Sequence, residues 1–215
     1  MNGFVGHVGV LLGFGGAVVG IVVLGVGLAR GRAPTMRGGQ VYAPLVLLGG
    51  VIAVVTMEHA LLTHDFSLTY VAANNSRSTP WLYSITGLWS ALAGSILLWG
   101  VVLGGYATAM VWRFRRRSGD PLVAWATLVV YVVAAFFFGL MLGPADPFKH
   151  VAGAVPTNGP GPNSLLQNNP LVLIHPPMLY LGLVGFTLPF AFAIASLITG
   201  RLDEDWQGET RRWTL

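Results

Sequence analysis

Long uncharged apolar runs alternate with short polar segments along this chain, and the runs exceed what the buried face of a soluble helix requires. They cover about residues 8–29, 41–62, 81–112, 122–142 and 175–199. About 20 consecutive apolar residues form a helix that crosses the hydrocarbon, where every backbone donor and acceptor must be satisfied within its own segment. The pattern therefore predicts an all-α, polytopic integral membrane bundle of about five transmembrane helices, organised as a single domain over 1–215. Gly9, Gly13, Gly16 and Gly20 give the first run small-xxx-small spacing, which predicts close packing against neighbouring helices.

Charge adds an orientation. Of the 12 Lys and Arg residues, only Arg77 and Lys149 fall between the second and third or the fourth and fifth runs. Arg30, Arg32, Arg37, Arg113, Arg115, Arg116, Arg117, Arg201, Arg211 and Arg212 fall in the other connections and the tail. Cations accumulate on the cytoplasmic side, and acidic residues such as Asp203, Glu204 and Asp205 contribute little. The N-terminus is thus expected outside and the C-terminus inside, with cytoplasmic loops 30–40 and 113–121 and external loops 64–80 and 144–174. No cation precedes the first run, so it reads as a retained helix rather than a secretory signal. The cluster Arg113 to Arg117 is explained most simply as a stop signal, although such a cluster also meets anionic membrane lipid.

With 54% hydrophobic and 9% charged residues, the chain lies outside the range of soluble domains. Its net charge of +4 sits in connecting loops, so it marks topology and no nucleic-acid partner. The absence of cysteine removes disulfides, thiolate metal sites and thiol redox chemistry. Glu58, His59, His64 and Asp65 crowd the end of the second run. On a straight helix the two histidines project about 140° apart, which disfavours one shared ion, while Glu58 and Asp65 share a face. A polar helix end facing a partner or water is the simpler reading. Trp81, Tyr83, Trp89, Trp99, Tyr106 and Trp112 recur along the third run; those near its ends suit an interfacial belt. Trp89 and Trp99 lie further in, placed to pack against helices or to line a flat macrocycle.

The stretch from Asn163 to Phe190 organises the rest. A Pro-, Gly- and Asn-rich segment, longer than most loops in compact proteins, leads into His175, Pro176 and Pro177 before the last apolar run. Proline lacks an N–H and holds φ near −65°, which suits a first helical turn, where those donors have no partner anyway. His175 is thereby held beside the water interface on a stiff backbone. An imidazole so placed suits ligation of a metal or haem iron from one side; the plainer alternative is an interfacial histidine that caps the helix.

The segments THDFSLTYVAANNS, GLWSALAGSILLW and NSLLQNNPLVLIHPPMLYLGLVGFTLPFAFAIASLITGRLDEDW, followed by RRWTL, resemble in order and spacing the N-terminal part of the CcmF/NrfE family. These are the cytochrome c haem lyase subunits of the System I pathway. The resemblance implies a membrane subunit that handles haem at the outer face for covalent attachment to apocytochrome c, in the bacterial inner membrane. Thioether formation would then belong to the complex, with CcmH-like and CcmE-like partners. It also implies that His175 is a haem axial ligand, with Pro176, Pro177, Tyr180 and Asn163 in support. Haem b would be handled transiently, because the Trp-rich segment and the remaining histidine ligands lie later in the family chain. The sequence stops before that segment, so a companion C-terminal half is an expected partner, from a split or truncated protein. Ala93 occupies a position where the family pattern has Glu, which removes any role for that carboxylate, and no ligand role passes to His59 or His64. The rival readings are a structural assembly scaffold or a transporter subunit without haem ligation of its own.

Overall fold

A computed structural model describes residues 1–167 and 169–201, the side chains of Leu166 and Gln167 aside. Arg211, Arg212 and the acidic residues Asp203, Glu204 and Asp205 lie outside the described residues. Among the described residues the chain is helical, with turns, loops and an isolated bridge between Leu68 and His150. Five stretches are long and apolar enough to cross a membrane: Asn2–Ala29, Ala33–Leu62, Leu92–Arg113, Pro121–Met141 and Pro170–Thr199. The helices in chain order are α1 (Asn2–Ala29), α2 (Ala33–Gln40), α3 (Ala43–Leu62), α4 (Thr69–Asn74), α5 (Trp81–Thr86), α6 (Leu92–Arg113), α7 (Pro121–Met141), α8 (Ser164–Gln167), α9 (His175–Gly185) and α10 (Thr187–Thr199).

The glycines of α1 act as expected. A Cβ on Gly9 would lie 2.8 Å from the Ala53 nitrogen, and one on Gly16 would lie 3.2 Å from Leu45 Cβ, so α3 rests on the α1 backbone. Gly13 and Gly20 lie under the Phe138 and Tyr131 rings of α7. In lipid, where burial away from water does not drive helices together, such close approach supplies the packing attraction. α1 begins earlier than its apolar run because Gly3 and Gly6 sit beneath the His150 and Phe148 rings.

Two runs expected as single spans are broken. In the third, α5 passes through a 3-10 turn at Gly87–Trp89 to an extended Ala91 (φ −142°, ψ 165°) before α6 starts. The Tyr70 hydroxyl, shared between the carbonyls of Gly87 (2.8 Å) and Leu88 (3.0 Å), satisfies groups that a continuous helix would have paired internally. In the fifth, α9 and α10 meet at Phe186, because Pro189 has no N–H to offer the Gly185 carbonyl four residues back. α10 then stops at left-handed Gly200 (φ 69°), and the Arg201 N–H returns to the Ser196 carbonyl at 3.1 Å.

At one end of the bundle the two long loops join. Thr69 donates to the Lys149 carbonyl and Val151 to that of Ser67, at 2.8 and 2.9 Å. Arg77 Nε donates to the Thr157 carbonyl at 2.9 Å, and buried Asn75 donates to the Leu61 carbonyl at 2.7 Å. At the other end the Asp120 carboxylate accepts from Leu122 N, Arg117 and Arg201, tying the start of α7 to the end of α10.

Candidate functional site

His175 opens α9, with the prolines in the first turn as their missing donors require. Its side chain is exposed, and among the described residues no group hydrogen-bonds its imidazole. Beside it lies a hollow of about 300 Å³ lined by Asn169, Leu171, Val172, His175 and Pro176. The Asn169 side chain accepts from Leu171 N at 3.0 Å and shapes the 3-10 turn Pro170–Leu173 just before the histidine.

The backbone on both sides of His175 is fastened to the break between α5 and α6. Before it, Trp89 Nε1 donates to the Val172 carbonyl at 2.7 Å. After it, the Tyr180 hydroxyl donates to Ser95 Oγ at 3.1 Å, and Ser95 donates to the Trp89 carbonyl at 3.2 Å. Trp89 therefore closes a loop of bonds around the segment that carries the imidazole. Trp99 meets Tyr180 edge-on with centroids 6.0 Å apart and packs on Phe137 at 4.9 Å, as the helix-packing reading expects. Ser95 and the indole donor of Trp89 carry no local sequence signal for this role, since their partners are 85 and 83 residues away.

The other sequence candidates lie elsewhere. Asn163 accepts from Leu165 N at 3.0 Å and caps α8, outside the lining of the hollow. Loops 64–80 and 144–161 bond to each other, and the lining comes from 169–176. α3 ends at Leu62, so the expected shared face of Glu58 and Asp65 does not form, because Asp65 sits in the turn beyond a left-handed His64 (φ 54°). His59 Nδ1 pairs with Asn2 Oδ1 at 3.1 Å, whereas His64 Nε2 is buried without a partner among the described residues. His7 Nε2 lies 3.0 Å from Asp146. Burial pushes the Asp65 carboxyl up, but bonds from Ser67 and Asn2 outweigh this and hold it below the ordinary carboxylate range.

One open imidazole on a pinned backbone, beside a mostly apolar hollow, could hold a metal ion or a flat metal-bearing cofactor from one side. Residues 89–214 match the family model described as cytochrome C assembly protein. The chain belongs to that family. It is 37% identical over 88% of its length to the cytochrome c-type biogenesis protein CcmF of Escherichia coli strain K12, covering 29% of that protein. It is 38% identical over 98% of its length to CycK, a cytochrome c-type biogenesis protein of Rhizobium meliloti strain 1021, covering 31% of it. A solved structure titled cytochrome c haem lyase CcmF superposes with a TM-score of 0.79 at 30% identity, over 99% of this chain and 33% of that one. The chain thus spans about a third of the length of these cytochrome c assembly proteins, and it is an integral membrane protein.

Proposed function

We propose that the chain is the amino-terminal part of a haem lyase of the CcmF type, a single transmembrane domain over 1–215 that presents haem b for attachment to apocytochrome c. The His175 imidazole, without a hydrogen-bond partner among the described residues and held beside its hollow between the Val172 and Tyr180 attachments, carries this reading. Pro176 and Pro177 stiffen the backbone on which the ring stands, and Leu171, Val172 and Pro176 supply apolar lining beside it. Haem, when bound, would supply the vinyl groups that become thioethers; the residues here orient and shield. A single imidazole would leave further contacts with haem to other protein, which fits relatives about three times as long.

The orientation belongs to the same proposal. Arg30, Arg32, Arg37, Arg113 and Arg115 to Arg117 occupy the helix ends opposite the joined loops, which fits an external His175 in the inner membrane. The partners that fit are a C-terminal CcmF-like half, CcmH-like and CcmE-like proteins, and the apocytochrome. In a strain that depends on the chain, His175→Ala should abolish cytochrome c maturation and haem capture by the purified complex, while the protein still accumulates in the membrane. Haem capture and maturation at wild-type levels would overturn the ligand role.

A further inference from the structure

At the end of the bundle opposite His175, a second hollow of about 220 Å³ is lined by Arg37, Arg115 and Gln40, and on its apolar side by Val41, Pro44 and Val111. Gln40 is 2% exposed; its Nε2 donates to the Ser118 carbonyl at 2.9 Å, and its Oε1 is buried with no donor among the described residues. Arg37 lies along Gly119, where a Cβ would come 3.2 Å from its Nε. Arg115 donates to the Trp112 carbonyl at 2.8 Å and lies 4.7 Å over the Trp112 ring. Val41 and Trp112 flank the hollow with large exposed apolar surfaces. The nearby carboxylate of Asp120 is engaged by Arg117 and Arg201, and among the described residues no acidic side chain lines the hollow.

We propose that this hollow binds the headgroup of a membrane phospholipid, its phosphate on Arg37 and Arg115 and its glycerol hydroxyl or primary ammonium turned to Gln40. Two arginines on one hollow, beside an apolar wall, match a phosphodiester entering from the bilayer with its acyl chains. A stop signal alone requires cations in a loop. It requires neither a hollow beside them nor, in its lining, a buried amide whose oxygen has no donor among the described residues. Choline lacks an N–H or O–H donor and leaves that acceptor unsatisfied.

The purified complex in mild detergent, titrated with dioctanoyl phosphatidylglycerol, phosphatidylethanolamine or phosphatidylcholine, or with inorganic phosphate, and read by native mass spectrometry, tests this. The glycerol and ethanolamine lipids should be retained well above the choline lipid, and inorganic phosphate should not displace them. The double variant Arg37→Ala/Arg115→Ala should bind about thirtyfold more weakly, since each such cation strengthens attraction to an anionic headgroup about fivefold. Arg116→Ala, in the same cluster but outside the hollow, should bind as the wild type does. Should the double variant fold poorly, Val41→Glu, at an exposed position, places a carboxylate in the hollow and should weaken binding likewise. Equal retention of choline lipid, displacement by phosphate, equal loss in Arg116→Ala, or unchanged binding by Val41→Glu would each overturn the proposal.

Discussion

Trp89 shows how a single residue can govern a site that it does not line. Its indole N–H holds the Val172 carbonyl, and its own carbonyl accepts from Ser95, which in turn accepts from Tyr180. Trp89→Phe keeps the ring but removes the donor, leaving a part-buried carbonyl unpaired at a cost of about 1–2 kcal/mol. The variant should melt a few degrees lower in detergent, and the segment 163–174 should be cut faster by protease, while Trp99→Phe leaves that rate unchanged. Equal cleavage rates for wild type and Trp89→Phe would show that the bond does not hold the segment. The place of His175 at the head of α9 was legible, because a histidine before two prolines and an apolar run marks a helix start. Trp89 was legible only as an inward aromatic, for a hydrogen bond across 83 residues leaves no periodic trace.

At the scale of elements, hydrophobic pattern located all five spans but missed the breaks inside two of them. Around 87–91 the residues are apolar or small, so hydropathy continues while the backbone turns; Tyr70, from another element, satisfies the freed carbonyls. Pro189 interrupts the ladder at the second break, but a proline within an apolar span does not by itself say whether the helix bends or divides. Asp120 precedes Pro121 and caps α7, and burial pushes its carboxyl up less than Arg117, Leu122 N–H and Arg201 pull it down. The unfolded chain therefore holds that proton more readily than the folded one. The stabilisation is fully present above the ordinary carboxylate range, near pH 4, and is lost as pH falls through the lower folded value. Asn is as good an N-cap as Asp, so Asp120→Asn isolates the charge and should cost about 0.5–1 kcal/mol at neutral pH and low salt. The difference from wild type should shrink both in high salt and on acidification. Persistence of the full difference at pH 3 would assign it to the cap rather than to the ion pairs.

For the whole molecule, the two ends of the bundle differ in kind. One carries the joined loops, with His7, His59 and His150 bonded or packed among their neighbours; the other gathers arginines and the Asp120 ties. This segregation is what the cation count anticipated, because an orientation signal sits in loops and survives any error in helix boundaries. Which end faces out decides whether His175 can meet an extracytoplasmic apoprotein. The chain has no cysteine, so single introduced thiols report without background. Val155→Cys, at a position 54% exposed in the loop paired with Arg77, should react with a membrane-impermeant maleimide in intact spheroplasts. Arg116→Cys, in the exposed turn between α6 and α7, should react only after the membrane is opened. The reverse order of labelling would place the hollow at His175 on the cytoplasmic side and overturn the proposed external site. Labelling of both sites before lysis would mean mixed insertion, and the cation distribution would then not suffice to orient this segment without the rest of its complex.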